Sequence, residues 1–145
     1  MKKVLRTLAL SISSGGALWA QSFPGTWQGA LKVPRAPNGE LRIVVKISTT
    51  PDDKLAGEMY SIDQGSAAIP ATSITANGNT VKMTFDRLNG AYEGRMSAEG
   101  QTITGTWTQQ ENPAPLELTR ATPGTAWTIP EPLPPPKMMD PNAKL

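Results

Sequence analysis

Apolar and polar residues alternate with period two from residue 26 to residue 120, in short runs broken by turn residues at intervals of about eight to twelve positions. Side chains two apart share one face of a strand, so the pattern predicts an antiparallel sandwich or barrel, and no helix-period stretch competes with it. The first run, 26–33, sets Trp27, Gly29, Leu31 and Val33 against Thr26, Gln28, Ala30 and Lys32. The second, 41–48, sets Leu41, Ile43, Val45 and Ile47 against Arg42, Val44, Lys46 and Ser48, with β-branched residues that favour a pleated surface. Later runs place Leu55, Gly57 and Met59, then Val81, Met83 and Phe85, then Tyr92, Gly94 and Met96, then Ile103, Gly105 and Trp107, and last Leu116 and Leu118 on the inward side. A weaker strand is expected at 71–75.

Turn chemistry fixes the connections. Thr50-Pro51-Asp52-Asp53, Asp63-Gln64-Gly65, Asn77-Gly78, Asn89-Gly90 and Glu99-Gly100 each supply residues suited to tight turns. Eight strands so joined predict an all-β, antiparallel up-and-down barrel, which can close without leaving an edge. Closure matters because the chain has no cysteine, so no disulfide can staple the domain.

Both ends of the chain break the pattern. Met1-Lys2-Lys3-Val4-Leu5-Arg6 is a basic head before a mostly apolar stretch to Trp19, with Ala17 and Ala20 near its end. This order predicts a signal peptide over 1–20 and a secreted or periplasmic protein; the stretch is too short for a stable membrane span of about 20 residues. The barrel domain is then expected over 21–122. Half of the fourteen prolines fall from Pro123 onward, so 123–145 is expected to be an unstructured proline-rich tail or linker.

Composition narrows the chemistry. The formal charge of +2 depends on Lys2, Lys3 and Arg6; without them, eleven basic residues face twelve acidic ones, a net charge of −1. No basic excess remains for a nucleic-acid partner. Histidine is absent from all 145 residues, which removes the usual general base and the Ser-His and Cys-His nucleophile pairs. Asp52-Asp53 falls in a turn, Glu58, Glu93 and Glu117 on outward phases, and no Gly-x-Ser-x-Gly elbow occurs. The reading is a protein without catalytic residues, metal site or cofactor.

Two features could still bear on function. Gly29, Gly57, Gly94 and Gly105 stand on inward phases, where glycine is unfavourable by about 0.5–1 kcal/mol against alanine. Strand curvature or room for a ligand would each explain them, and curvature is the stronger reading. Gly25-Thr26-Trp27 and Gly105-Thr106-Trp107 repeat one tripeptide with its indole inward. Both indoles read first as core. As ligand-facing residues they would line an interior cavity with Leu31, Val45 and Phe85, suited to a small apolar guest.

The opening Gly25-Thr26-Trp27 and the closing Leu116-Glu117-Leu118-Thr119-Arg120 resemble the calycin arrangement of lipocalins and avidins. That resemblance implies that Trp27 closes one end of the barrel beneath Arg120. Phe23-Pro24-Gly25-Thr26-Trp27-Gln28-Gly29, Tyr60-Ser61-Ile62-Asp63-Gln64-Gly65, Gly90-Ala91-Tyr92-Glu93-Gly94 and Thr102-Ile103-Thr104-Gly105-Thr106-Trp107 are similar to an N-terminal module of exported soil-associated bacterial proteins, found also before secreted α/β-hydrolase domains. It implies a non-catalytic binding or accessory module, joined to a protein partner or a fused domain. A lipocalin-like carrier and a hydrolase accessory domain are the alternatives.

Overall fold

A computed structural model describes residues 23–134, and the expected signal peptide 1–20 lies outside them. Nine strands form one antiparallel sheet: β1 (Gly25–Lys32), β2 (Glu40–Thr49), β3 (Leu55–Ser61), β4 (Ile69–Pro70), β5 (Ser73–Asn77), β6 (Thr80–Phe85), β7 (Gly90–Met96), β8 (Thr102–Gln109) and β9 (Asn112–Arg120). Each long strand pairs with the next, and β9 returns to β1 through Trp27↔Arg120 and Gln28↔Thr119. Eight strands therefore close into a barrel, with β4 outside the ring.

The outside strand departs from the expected single strand at 71–75. Pro70 has no N–H to give to a ladder, and the chain changes partner just beyond it. Ala71 N–H donates to Gly57 O on the β3 side, whereas Thr72 N–H donates to Thr84 O beside β6. What the alternation suggests as one strand is thus two short ones, β4 on β3 and β5 on β6, with β5 touching β3 only at Leu55↔Ile74.

The inward phases agree with the period-two pattern. Trp27, Ile43, Val45, Ile47, Met59, Val81, Met83, Phe85, Tyr92, Met96, Ile103, Trp107, Leu116 and Leu118 are all buried in one cluster. The glycines among them are places of close approach. A Cβ on Gly29 would stand 2.0 Å from Glu117 O across the β1–β9 seam, and one on Gly105 would stand 2.3 Å from Glu93 O and 2.7 Å from the Tyr92 hydroxyl. Backbone and side chain fill the room that these glycines leave, in keeping with curvature and tight strand contact.

Three turns refine the expected punctuation. The β5–β6 hairpin centres on Gly78-Asn79, since Asn77 pairs with Thr80, one residue later than Asn77-Gly78. Asn89 does take the left-handed conformation (φ 51°), but as the cap of a 3-10 turn over Asp86–Leu88. The β8–β9 hairpin turns on Gln110 (φ 50°) and Glu111 (φ 68°), a two-residue turn of the kind that favours asparagine and glycine.

The segment after β9 also differs from an unstructured tail at its start. Thr122 and Thr125 close a turn in which Thr125 N–H and Ala126 N–H both donate to Thr122 O, and the chain then lies against the outer face of β1 and β2. Trp127 and Ile129 are half-buried there. Two large apolar residues had a surface to cover, which the proline count alone conceals. The end of the expected tail, 135–145, lies outside the described residues. No helix among the described residues is long and apolar enough to cross a membrane.

Candidate functional site

The barrel has a closed end and a mouth. The closed end gathers the start of β1 and the end of β9. Trp27 has no exposed surface, its Nε1–H donates to Phe23 O at 2.8 Å, and Phe23 is itself fully buried. The Arg120 guanidinium lies 4.2 Å from the Trp27 ring centroid, while its Nε and Nη1 donate to Gly100 O and Pro24 O, each at 3.0 Å. Partial burial holds the Arg120 pKa below its ordinary value. A planar cation stacked on an indole and held by two carbonyls is a stopper, since the guanidinium fork reaches both carbonyls without leaving the ring.

Between the two ends the barrel is filled. Tyr92 is buried, its single O–H donating to Leu116 O at 2.8 Å, with Ile103 O a second, longer acceptor at 3.3 Å. Burial first, and Glu117 second, push the phenol well above its ordinary range, so it stays protonated and remains a donor. Gly94 and Gly105 pair across β7 and β8 and leave the space that this ring occupies.

The mouth is different. A cavity of about 80 Å³ opens there, lined by Leu31, Leu41, Ile43, Met59, Ile69, Leu88, Trp107 and Leu116, with Ser61, Gln64 and Gln109 as its polar members. Trp107 Nε1–H donates to Gln109 Oε1 at 3.3 Å and Ser61 Oγ to Gln64 Oε1 at 2.7 Å. None of the described residues lining the cavity is charged. The space has room for a few waters, whereas drug-sized sites run to about 300–1,000 Å³.

Backbone strain gathers at the same end. Asn89, Gln110 and Glu111 are three of the four described non-glycine residues with positive φ, and Gln110 N–H donates to Asn89 O, joining the β6–β7 loop to the β8–β9 hairpin. Left-handed conformations are unfavourable by roughly 1–2 kcal/mol for residues with a Cβ and tend to collect where a structure has work to do.

The five residues expected to line an interior cavity are not brought around one space. Leu31 and Trp107 line the mouth. Trp27 belongs to the closed end, and Val45 and Phe85 are spent on packing, Phe85 against Trp107 at 5.7 Å between ring centroids. Among the residues that sequence reasoning missed, Gln109 was legible: the inward phase of Ile103, Gly105 and Trp107 continues to a polar side chain at the strand end, where a rim would be. Gln64 and Leu88 come from a loop and a 3-10 turn that have no such periodicity. Among the described residues no group of acidic side chains could hold a metal ion. Comparison with protein-family models and with curated protein sequences returns no match.

Proposed function

We propose that the chain is an exported, non-catalytic binding module of calycin-like build, whose recognition site is the mouth of a filled barrel. The observation that carries this reading is the coincidence at one end of an uncharged apolar cavity of about 80 Å³, a neutral polar rim and three left-handed non-glycine residues. A cavity of that size accepts the tip of an apolar group, with the rest of the ligand or partner outside. The uncharged lining favours neutral groups, because an ion there would lose hydration with no counter-charge in return. Transport of a whole small ligand, as in a lipocalin carrier, would require the interior to open.

The experiment is a titration of the full chain with 1-octanol and with decanoate, followed through the tryptophan indole N–H resonances. Movement of Trp107 with Trp27 unmoved, stronger for the neutral probe, supports the mouth. Equal movement of Trp27 would mean that the interior opens, and the carrier reading would replace this one. Silence at Trp107 up to millimolar probe would rule out the mouth as a ligand site.

An accessory role beside a hydrolase or another fused domain, as in the soil-associated proteins that the sequence resembles, is the second reading. It is favoured by the segment beyond β9, which is tied to the barrel flank.

A further inference from the structure

The outward face of β1 and β2 carries two residues whose burial the barrel alone does not explain. Val44 points away from the interior cluster yet is only 1% exposed, and Gln28, also outward, is 9% exposed. Both face residues 122–129. The Gln28 amide meets this segment as a neighbouring strand would: Nε2 donates to Thr125 O at 2.8 Å, and Trp127 N–H donates to Oε1 at 2.9 Å. One side chain thus satisfies a donor and an acceptor two residues apart where the chain leaves the Thr122–Thr125 turn, a pairing that no aliphatic residue could make.

The side chains of the segment are placed as well. The Trp127 ring lies 5.9 Å from the Arg42 guanidinium, which is itself held by Asp63 through Nη2 at 2.7 Å and Nε at 3.0 Å. Trp127, Ala126 and Ile129 border a groove floored by Thr26, Val44 and Lys46. The Thr122–Thr125 turn aims the chain into this position, with Thr122 N–H donating to Thr125 Oγ1 at 2.9 Å. Directly past Ile129 come Pro130, Pro132 and Pro134, which have no N–H to pair. Every second residue from 130 to 134 thus lacks the donor that continued pairing would use.

We propose that the outer face of β1 and β2 is a receptor groove for a tryptophan-bearing peptide segment, and that residues 122–129 of this same chain are its occupant. The segment is then part of the folded unit and not a tether, and it fixes the place on the barrel flank from which the following chain departs. The occupant is the chain's own segment because the Thr122–Thr125 turn is too short to leave the strand that precedes it: Ala121 N–H still donates to Thr26 O. This proposal does not depend on the mouth being a ligand site.

The test is amide hydrogen exchange on the full chain, reading Trp127 N–H against the amides of β1 and β2. Exchange of Trp127 at least tenfold slower than in a free peptide of the same sequence is expected. In Gln28→Ala this protection should be lost while the strand amides keep theirs, and Trp127→Ala should free the amide of residue 127 in the same way. A Trp127 amide that exchanges at the free-peptide rate in the unaltered chain would overturn the proposal, as would protection that persists in Gln28→Ala. Protection that rises with protein concentration would place the segment on a second copy and overturn its assignment to the same chain. Should Gln28→Ala fail to fold, Gln28→Met, which keeps the length of the side chain but removes both the acceptor for Trp127 N–H and the donor to Thr125 O, gives the same reading.

Discussion

Gly25-Thr26-Trp27 and Gly105-Thr106-Trp107 place the same side chains on the same strand phases, yet one indole seals the barrel and the other borders open space. Trp27 lies under Arg120 and over Phe23, both brought to it from outside its own strand. Trp107 packs against Phe85 on one side and faces the mouth cavity on the other. Local sequence decides that each indole turns inward; the partners from distant strands decide whether it becomes a stopper or a wall. The same contrast separates a rigid end from one that retains space and backbone strain.

The largest expected effect falls at the closed end. Trp27→Ala removes a fully buried indole and leaves Arg120 above a void, and it should lower stability by about 3–5 kcal/mol in chemical denaturation. If Trp107→Ala costs as much and yields an equally large loss of cooperativity, the two ends are energetically alike and the contrast fails. Arg120→Lys keeps the charge but loses the planar stack and one of two carbonyl contacts. A loss of about 1–2 kcal/mol is expected in the same assay, without change at Trp107.

Most of the barrel was legible in the sequence because period-two burial is a local property. The inward sets on the long strands followed from alternation alone, and the first and last strands could be paired by the Trp27 and Arg120 resemblance. The interrupted β4–β5 region was not, because its break depends on which neighbour Ala71 and Thr72 choose. The candidate site was less legible still. Whether Val45 and Phe85 pack together or surround a cavity is decided by side-chain volumes summed over all eight strands, which no run contains. Gln28 reads as an exposed outward residue until the segment ending in Trp127 and Ile129 is laid over it, nearly a hundred positions away.

The strain at the mouth can be relieved without touching the cavity lining. Gln110→Asn combined with Glu111→Gly installs the residue pair that this turn geometry favours, and should raise stability by about 0.5–1 kcal/mol in thermal unfolding. If the strain serves recognition, the octanol response of Trp107 should weaken in the same variant. A stabilised hairpin with an unchanged response would show that the strain is incidental and sharpen the mouth to its lining residues alone.

The smallest effect expected is a difference in how the two ends meet acid. The Arg42 guanidinium, by hydrogen bond first, and the Arg42 backbone N–H hold the Asp63 carboxyl below its ordinary value. A carboxylate depressed in the folded state contributes stability above the unfolded pKa, about 3.9, and loses it as the pH falls through the lower folded value. Both groups are exposed and screened by solvent, so the change should be local and modest. It should first show as faster amide exchange at Arg42 and Ile62, whose N–H groups donate to Asp63 and to Arg42 O respectively. At the Trp27–Arg120 end the bonds to Phe23 O, Gly100 O and Pro24 O use backbone acceptors that do not titrate, so its protection should hold over the same pH range, and Asp63→Asn should remove the acid dependence at Arg42. Simultaneous loss of protection at both ends would mean that the barrel opens as one cooperative body, with the mouth no looser than the stopper.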